Sequence, residues 1–243
     1  MKRIIKQASV NPIAQKRGIK PIAPGAKPIV ASNDRQRHIF ENLKSKMSDL
    51  GDVIVSEGFL RFETKIKNGS NFIQFKLKKG NDDNITERRI DDNDSFLITH
   101  LGFFLMKRDE TIAGIEALQS FPNNVVFFDE EEGGVKLFEC NHLEALYNGS
   151  LTVKVGQTVY IDGLDLLRFR SVPQTQGDGK SIAQINSKDG FHEVTPQILI
   201  NGSQSTEITI QAPISGSLKI AAPRANMNHY VVLIARGFLV KNK

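Results

Sequence analysis

Apolar residues at Ile39, Phe40, Leu43, Met47 and Leu50 fall on one helical face, while Arg35, Arg37, Lys44, Lys46 and Asp49 take the other. Asn33, with Gln36 three places on, supplies a capping-box-like start, and Gly51 supplies a stop. The pattern predicts an amphipathic helix over 34–50. Beyond Gly51 the period shortens. Phe59 to Ile66 and Asn71 to Leu77 partly alternate, as half-buried strands do. Further short β-like runs are Phe96 to Met106, Val125 to Phe128, Val135 to Phe138, Leu151 to Val155, Thr158 to Ile161, Leu166 to Val172, Ile198 to Ile200, Glu207 to Gln211, Ser217 to Ala221 and Tyr230 to Val240. Helical turns fit only Asp109 to Ser120 and Asn141 to Tyr147. A dozen strands against one substantial helix predict an all-β body of packed antiparallel sheets, and the lack of βαβ alternation argues against a doubly wound nucleotide fold.

The tripeptide Asn-Gly-Ser occurs three times, beginning at Asn68, Asn148 and Asn201. Asn-Gly tolerates the two positive φ angles of a type I′ turn, so each copy predicts a β-hairpin. As glycosylation sequons they carry little weight, because Lys6, Gln7, Asn11 and Pro12 interrupt any secretory h-region after Met1-Lys2-Arg3.

Charge divides the chain unevenly. The first 33 residues hold Lys2, Arg3, Lys6, Lys16, Arg17, Lys20 and Lys27, no acidic residue, and four of the nine prolines. The arm is therefore +7, and the net charge of +5 leaves −2 for the remaining 210 residues. Pro12, Pro21, Pro24 and Pro28 bar helix over most of it, which predicts an extended arm that could span on the order of 100 Å if fully stretched. Its contacts are expected with neighbouring subunits, an anionic membrane face or nucleic acid, and phosphate contacts would weaken steeply as salt rises.

Nothing in the chain nominates an enzyme, a cofactor or a metal. Gly177-Asp178-Gly179-Lys180-Ser181 imitates a phosphate-binding loop, but Gln174 stands where its first glycine belongs. Asp91-Asp92-Asn93-Asp94 starts like a calcium loop, yet Phe96 and Gly102 occupy the positions that need glycine and glutamate. The five histidines, His38, His100, His142, His192 and His229, lack metal-ligand spacing, and Cys140-Asn141-His142 reads as a cysteine at a helix start. A single cysteine excludes an internal disulfide. The acidic run Asp129 to Glu132 reads as a turn between strands or as a contact for a basic surface. With no Trp, three Tyr and fifteen Phe at mostly core-like positions, no base-stacking platform is expected on the body.

A basic, proline-containing arm ahead of such a body resembles jelly-roll major capsid proteins of tailless icosahedral phages, the double jelly-roll lineage. Leu146 to Val155, Phe169 to Gln176, Thr195 to Gly202, Glu207 to Ile210 and Tyr230 to Val240 carry this diffuse likeness. It implies two small jelly-roll barrels side by side, over 51–147 and 148–243, behind an arm (1–33) and a helix (34–50). One barrel with an elaborated insertion is the alternative. It further implies a virion structural protein, trimeric and self-assembling into an icosahedral shell in the host cytoplasm, its arm tying neighbours or facing genome or internal membrane. The alternatives are a nucleic-acid-binding protein and an accessory virion protein. A carbohydrate- or receptor-binding appendage fits poorly with so little Trp and Tyr.

Overall fold

The computed structural model describes residues 37, 41, 43, 53–67, 69–80, 84–112, 117–123, 127, 143–172, 190–213 and 226–242. The chain forms two compact units, Met1–Leu43 and Lys44–Lys243. In the first, Arg37, Glu41 and Leu43 are helical, and Arg37 Nε donates to Glu41 Oε1 at 2.9 Å across one turn. The rest of the predicted helix, like the whole arm, lies outside the described residues.

Among its described residues the second unit has eight strands: β1 (Val53–Lys65), β2 (Phe72–Phe75), β3 (Ser95–Asp109), β4 (Ser150–Val155), β5 (Thr158–Asp165), β6 (Phe191–Asn201), β7 (Thr206–Gln211) and β8 (Met227–Asn242). They form two antiparallel four-stranded sheets, in the orders β1-β8-β3-β6 and β2-β7-β4-β5. The all-β expectation holds. Each sheet takes strands from both sides of residue 147, so the expected boundary there does not separate two sheet systems. One core also joins the sheets: Phe62, Phe103 and Leu233 from one meet Phe75, Val153 and Ile208 from the other in a single buried cluster.

β3 reads as a nearly unbroken apolar run because it is covered on both faces. Phe103 and Leu105 point into the core, while Phe104 and Met106 join Tyr230 and Val232 in a second cluster on the outer face. A bulge at Thr99 shifts the register between Ile98 and His100, and the Thr99 hydroxyl donates to the Arg236 carbonyl at 3.1 Å. Opposite Ile98 stands Gly237, where any Cβ would collide with the Leu97 carbonyl. The exposed side of edge strand β1 is partly closed by the connection between β2 and β3. Arg61 and Arg88 exchange backbone hydrogen bonds at 2.8 and 3.0 Å, and Ile90 does the same with Leu77 and Lys79 at 3.0 and 3.1 Å.

The three Asn-Gly-Ser tripeptides do not make the expected type I′ hairpins. Each stands on a passage from the β1-β8-β3-β6 sheet to its partner: between β1 and β2, just before β4, and between β6 and β7. Strands so joined do not pair, so a turn shaped for paired strands has no place there. Gly69, at φ 89°, lies in a turn closed by Ser70 N–H on the Lys67 carbonyl, whereas Gly149 is extended after the 3-10 helix Leu146–Asn148. Asn201 Oδ1 accepts from the Ser203 N–H and hydroxyl at 3.1 and 2.9 Å, an Asx turn. The tight hairpin is β4–β5, where Val155 pairs with Thr158 around Gly156-Gln157 and Gly156 supplies φ 59°.

Other expectations also change. Leu166 to Val172 is not a strand: Leu166–Phe169 is a 3-10 helix, because Asp165 Oδ1 caps the Leu167 N–H at 2.9 Å and Leu166 and Phe169 bury together. In Val125 to Phe128, Phe127 is helical, its N–H donating to the Asn123 carbonyl, and the other three residues lie outside the described set. Asp109 to Ser120 begins with a turn rather than a helix, and Gln119 makes an isolated antiparallel bridge to Leu105. Leu143 to Asn148 is helical, as expected for most of Asn141 to Tyr147. Val135 to Phe138 and Ser217 to Ala221 lie outside the described residues.

Candidate interaction groove

The outer face of the β1-β8-β3-β6 sheet carries the most distinctive surface among the described residues. Along β1 the alternation turns Leu60 and Phe62 into the core and leaves Phe59, Arg61 and Glu63 on the outer face. Register then assembles two rows. Phe59 stands opposite Arg236, which is opposite His100, which is opposite Glu193; one pair along, Arg61 meets Ile234, then Gly102, then Phe191.

Gly102 makes the second row possible. A Cβ there would come within 2.6 Å of the Phe191 ring and 2.7 Å of the Phe104 ring, so the missing side chain lets both rings lie down on the sheet. Phe191 meets Phe104 edge-on at 5.3 Å between centroids. The Arg236 guanidinium then sits 3.7 Å from the centroid of Phe191. On the opposite side Arg88 lies 5.1 Å from the Phe59 ring. Between these walls runs a groove of about 540 Å³, lined chiefly by Glu57, Phe59, Arg61, Phe191, Ile234 and Arg236. Phe59 is 43% exposed, which is unusual for a large apolar side chain in the middle of a strand.

A buried polar network anchors the neighbouring stretch of the face. The Glu63 carboxylate accepts from Arg61 at 2.8 Å, from Arg108 at 2.6 Å and from the Thr86 hydroxyl at 2.7 Å. Glu87 Oε1 accepts from the Glu63 N–H at 3.0 Å and from Arg89 at 2.8 Å, tying the 84–90 connection to β1. Arg108 also lies 4.8 Å from the Tyr230 ring. Lys65, the largest influence, holds the Glu110 carboxyl below its usual range, against a smaller opposing effect of desolvation. Elsewhere burial raises the Tyr147 phenol above its ordinary value, and burial followed by Arg168 lowers the His192 imidazole, next in sequence to Phe191.

Of the residues singled out in the sequence, His100 stands in the first of these rows. Lys2, Arg3, Lys6, Lys16, Arg17, Lys20 and Lys27 are outside the described residues, as are the 177–181 loop, the acidic run 129–132, Cys140, His142 and His38. Asp91 and Asp92 make surface ion pairs with Lys79 and Lys78 at 3.4 and 3.3 Å. His100 approaches the Thr99 hydroxyl at 3.0 Å, and buried His229 approaches the Phe127 carbonyl at 3.2 Å. The expectation that the core claims the phenylalanines fails at Phe59 and at Phe72, which is 50% exposed. The alternation of Phe59 to Glu63 contained that signal, since Phe59 and Phe62 cannot share a face; the contribution of Gly102 and Phe191 depends on strand register and was invisible. No protein-family model matches this chain, and no curated protein matches it either.

Proposed function

We propose that the body is a single jelly roll and that the protein is a virion structural subunit, one that self-assembles into an icosahedral shell. The strand order carries this reading. Numbered along the chain, the sheets run 1-8-3-6 and 2-7-4-5, so among the described strands β4 and β5 alone pair as sequence neighbours and the other consecutive strands lie in different sheets. Two facing four-stranded sheets wound in this way support a double Greek key, the winding of jelly rolls, a fold shared by capsid and lectin domains. The fold alone does not assign a function. The arm, with seven cations, no acids and four prolines, favours shell building over sugar binding, because it gives the subunit a means of tying neighbours or facing the interior.

In this account no reaction is catalysed and no cofactor is needed. Partners are other copies of the chain, most simply as trimers, and other capsid subunits, with genome or internal membrane as the inner contact. Assembly takes place in the host cytoplasm and the product is the virion. Deleting residues 2–31 is expected to leave a folded, soluble body that forms no closed particles in negative stain. Normal particles from that deletion would remove the arm from the assembly mechanism.

The arm's charge supports a second reading, nucleic-acid binding or packaging by an accessory virion protein, in which Lys16, Arg17 and Lys20 hold phosphates. A gel shift that weakens with salt and vanishes with the arm would favour it.

A further inference from the structure

We infer that the groove between Phe59 and Phe191 receives the proline-rich stretch Gly18–Pro28 of a second copy of this chain, docked as a polyproline II segment. The inference rests on the reading of the chain as a self-assembling subunit. Gly18-Ile19-Lys20-Pro21-Ile22-Ala23-Pro24-Gly25-Ala26-Lys27-Pro28 holds three prolines, with Pro21 and Pro24 in the P-x-x-P spacing. Such a segment is biased toward a left-handed extended helix of three residues per turn, which makes no internal hydrogen bonds and so presents free carbonyls. Its usual receptor is an aromatic-lined groove.

The groove meets those requirements. Phe59 and Phe191 form its aromatic walls and Ile234 lies between them. Arg61 and Arg236 carry only donors, which suits the carbonyls of a polyproline helix. Glu57, exposed at the β1 side, offers a carboxylate for Lys20 or Lys27. Length agrees as well. From β1 to β6 there are three inter-strand steps of about 4.8 Å, and about five residues at about 3.1 Å each cover that width. Lys20-Pro21-Ile22-Ala23-Pro24 is such a stretch. A neighbour's arm can reach it, since 33 extended residues span on the order of 100 Å.

The test uses full-length chains. A copy with a photoreactive benzoylphenylalanine at position 59, marked by Lys27→Arg, is co-expressed with the unmarked chain, irradiated and mapped by mass spectrometry. The expected result is crosslinks from position 59 into residues 18–28 that carry Lys27, and so come from another copy. Pro21→Ala with Pro24→Ala in the unmarked chain should lower their yield about fivefold, through lost preorganisation. Arm crosslinks that carry only the arginine mark, crosslinks to the acidic run or elsewhere, no crosslinks, or a yield indifferent to the prolines would each overturn the assignment. Particles that form without these crosslinks would sink the groove and leave the assembly reading standing; crosslinked pairs that never form particles would do the reverse.

Discussion

At the scale of single residues, the outer face is organised by one carboxylate and one missing side chain. Glu63, whose side chain is fully buried, holds Arg61, Arg108 and Thr86 together, and the Arg108 side chain is only 8% exposed. Removing one member of a buried ion pair leaves the other uncompensated, at a cost of about 3 kcal/mol. Glu63→Gln should therefore lower the urea midpoint by that much stability without changing the slope, whereas an unchanged midpoint would mean that water already screens Arg108. Gly102 acts by absence, making room for two rings. Neither role was legible in the sequence. Glu63 looked like the polar half of an alternating strand and Gly102 stood out only as a glycine where a calcium loop needs glutamate, because both roles depend on which strand lies alongside.

At the scale of elements, strands were legible where alternation or an apolar run was strong. Phe96 to Met106, Leu151 to Val155, Glu207 to Gln211 and Tyr230 to Val240 all fall inside observed strands. Leu166 to Val172 misled because a 3-10 turn with Leu166 and Phe169 buried shows the same apolar density as a short strand. The Asn-Gly-Ser repeats were wrongly read as hairpins, since turn chemistry does not reveal whether the chain stays in one sheet, and the second copy ends a 3-10 helix with Gly149 extended. The pairing of β3 with β8, the longest in the body, depends on Gly237 beside the Thr99 bulge. Gly237→Ala places a methyl group against the Leu97 carbonyl, which backbone pairing cannot easily yield, and should cost about 3 kcal/mol or more. A thermal melt would show it, and wild-type stability would mean that the bulge absorbs the methyl group.

At the scale of the whole molecule, composition already separated a basic arm from a slightly acidic body, and that division shapes the functional account. The two-barrel expectation came from counting strand-like runs over 193 residues, from Gly51 to Lys243. Several of those runs are turns or lie outside the described residues, and the eight observed strands share one core. The interaction groove was not legible at this scale, for it exists only once β1, β8, β3 and β6 lie side by side. What the arm does and what the groove receives converge on self-association. Negative-stain imaging of the purified full-length chain, with light scattering across a concentration series, puts self-association to the test without any substitution. Closed particles of uniform diameter built from many copies are expected; a monomer that persists at the highest concentration reached would contradict self-assembly.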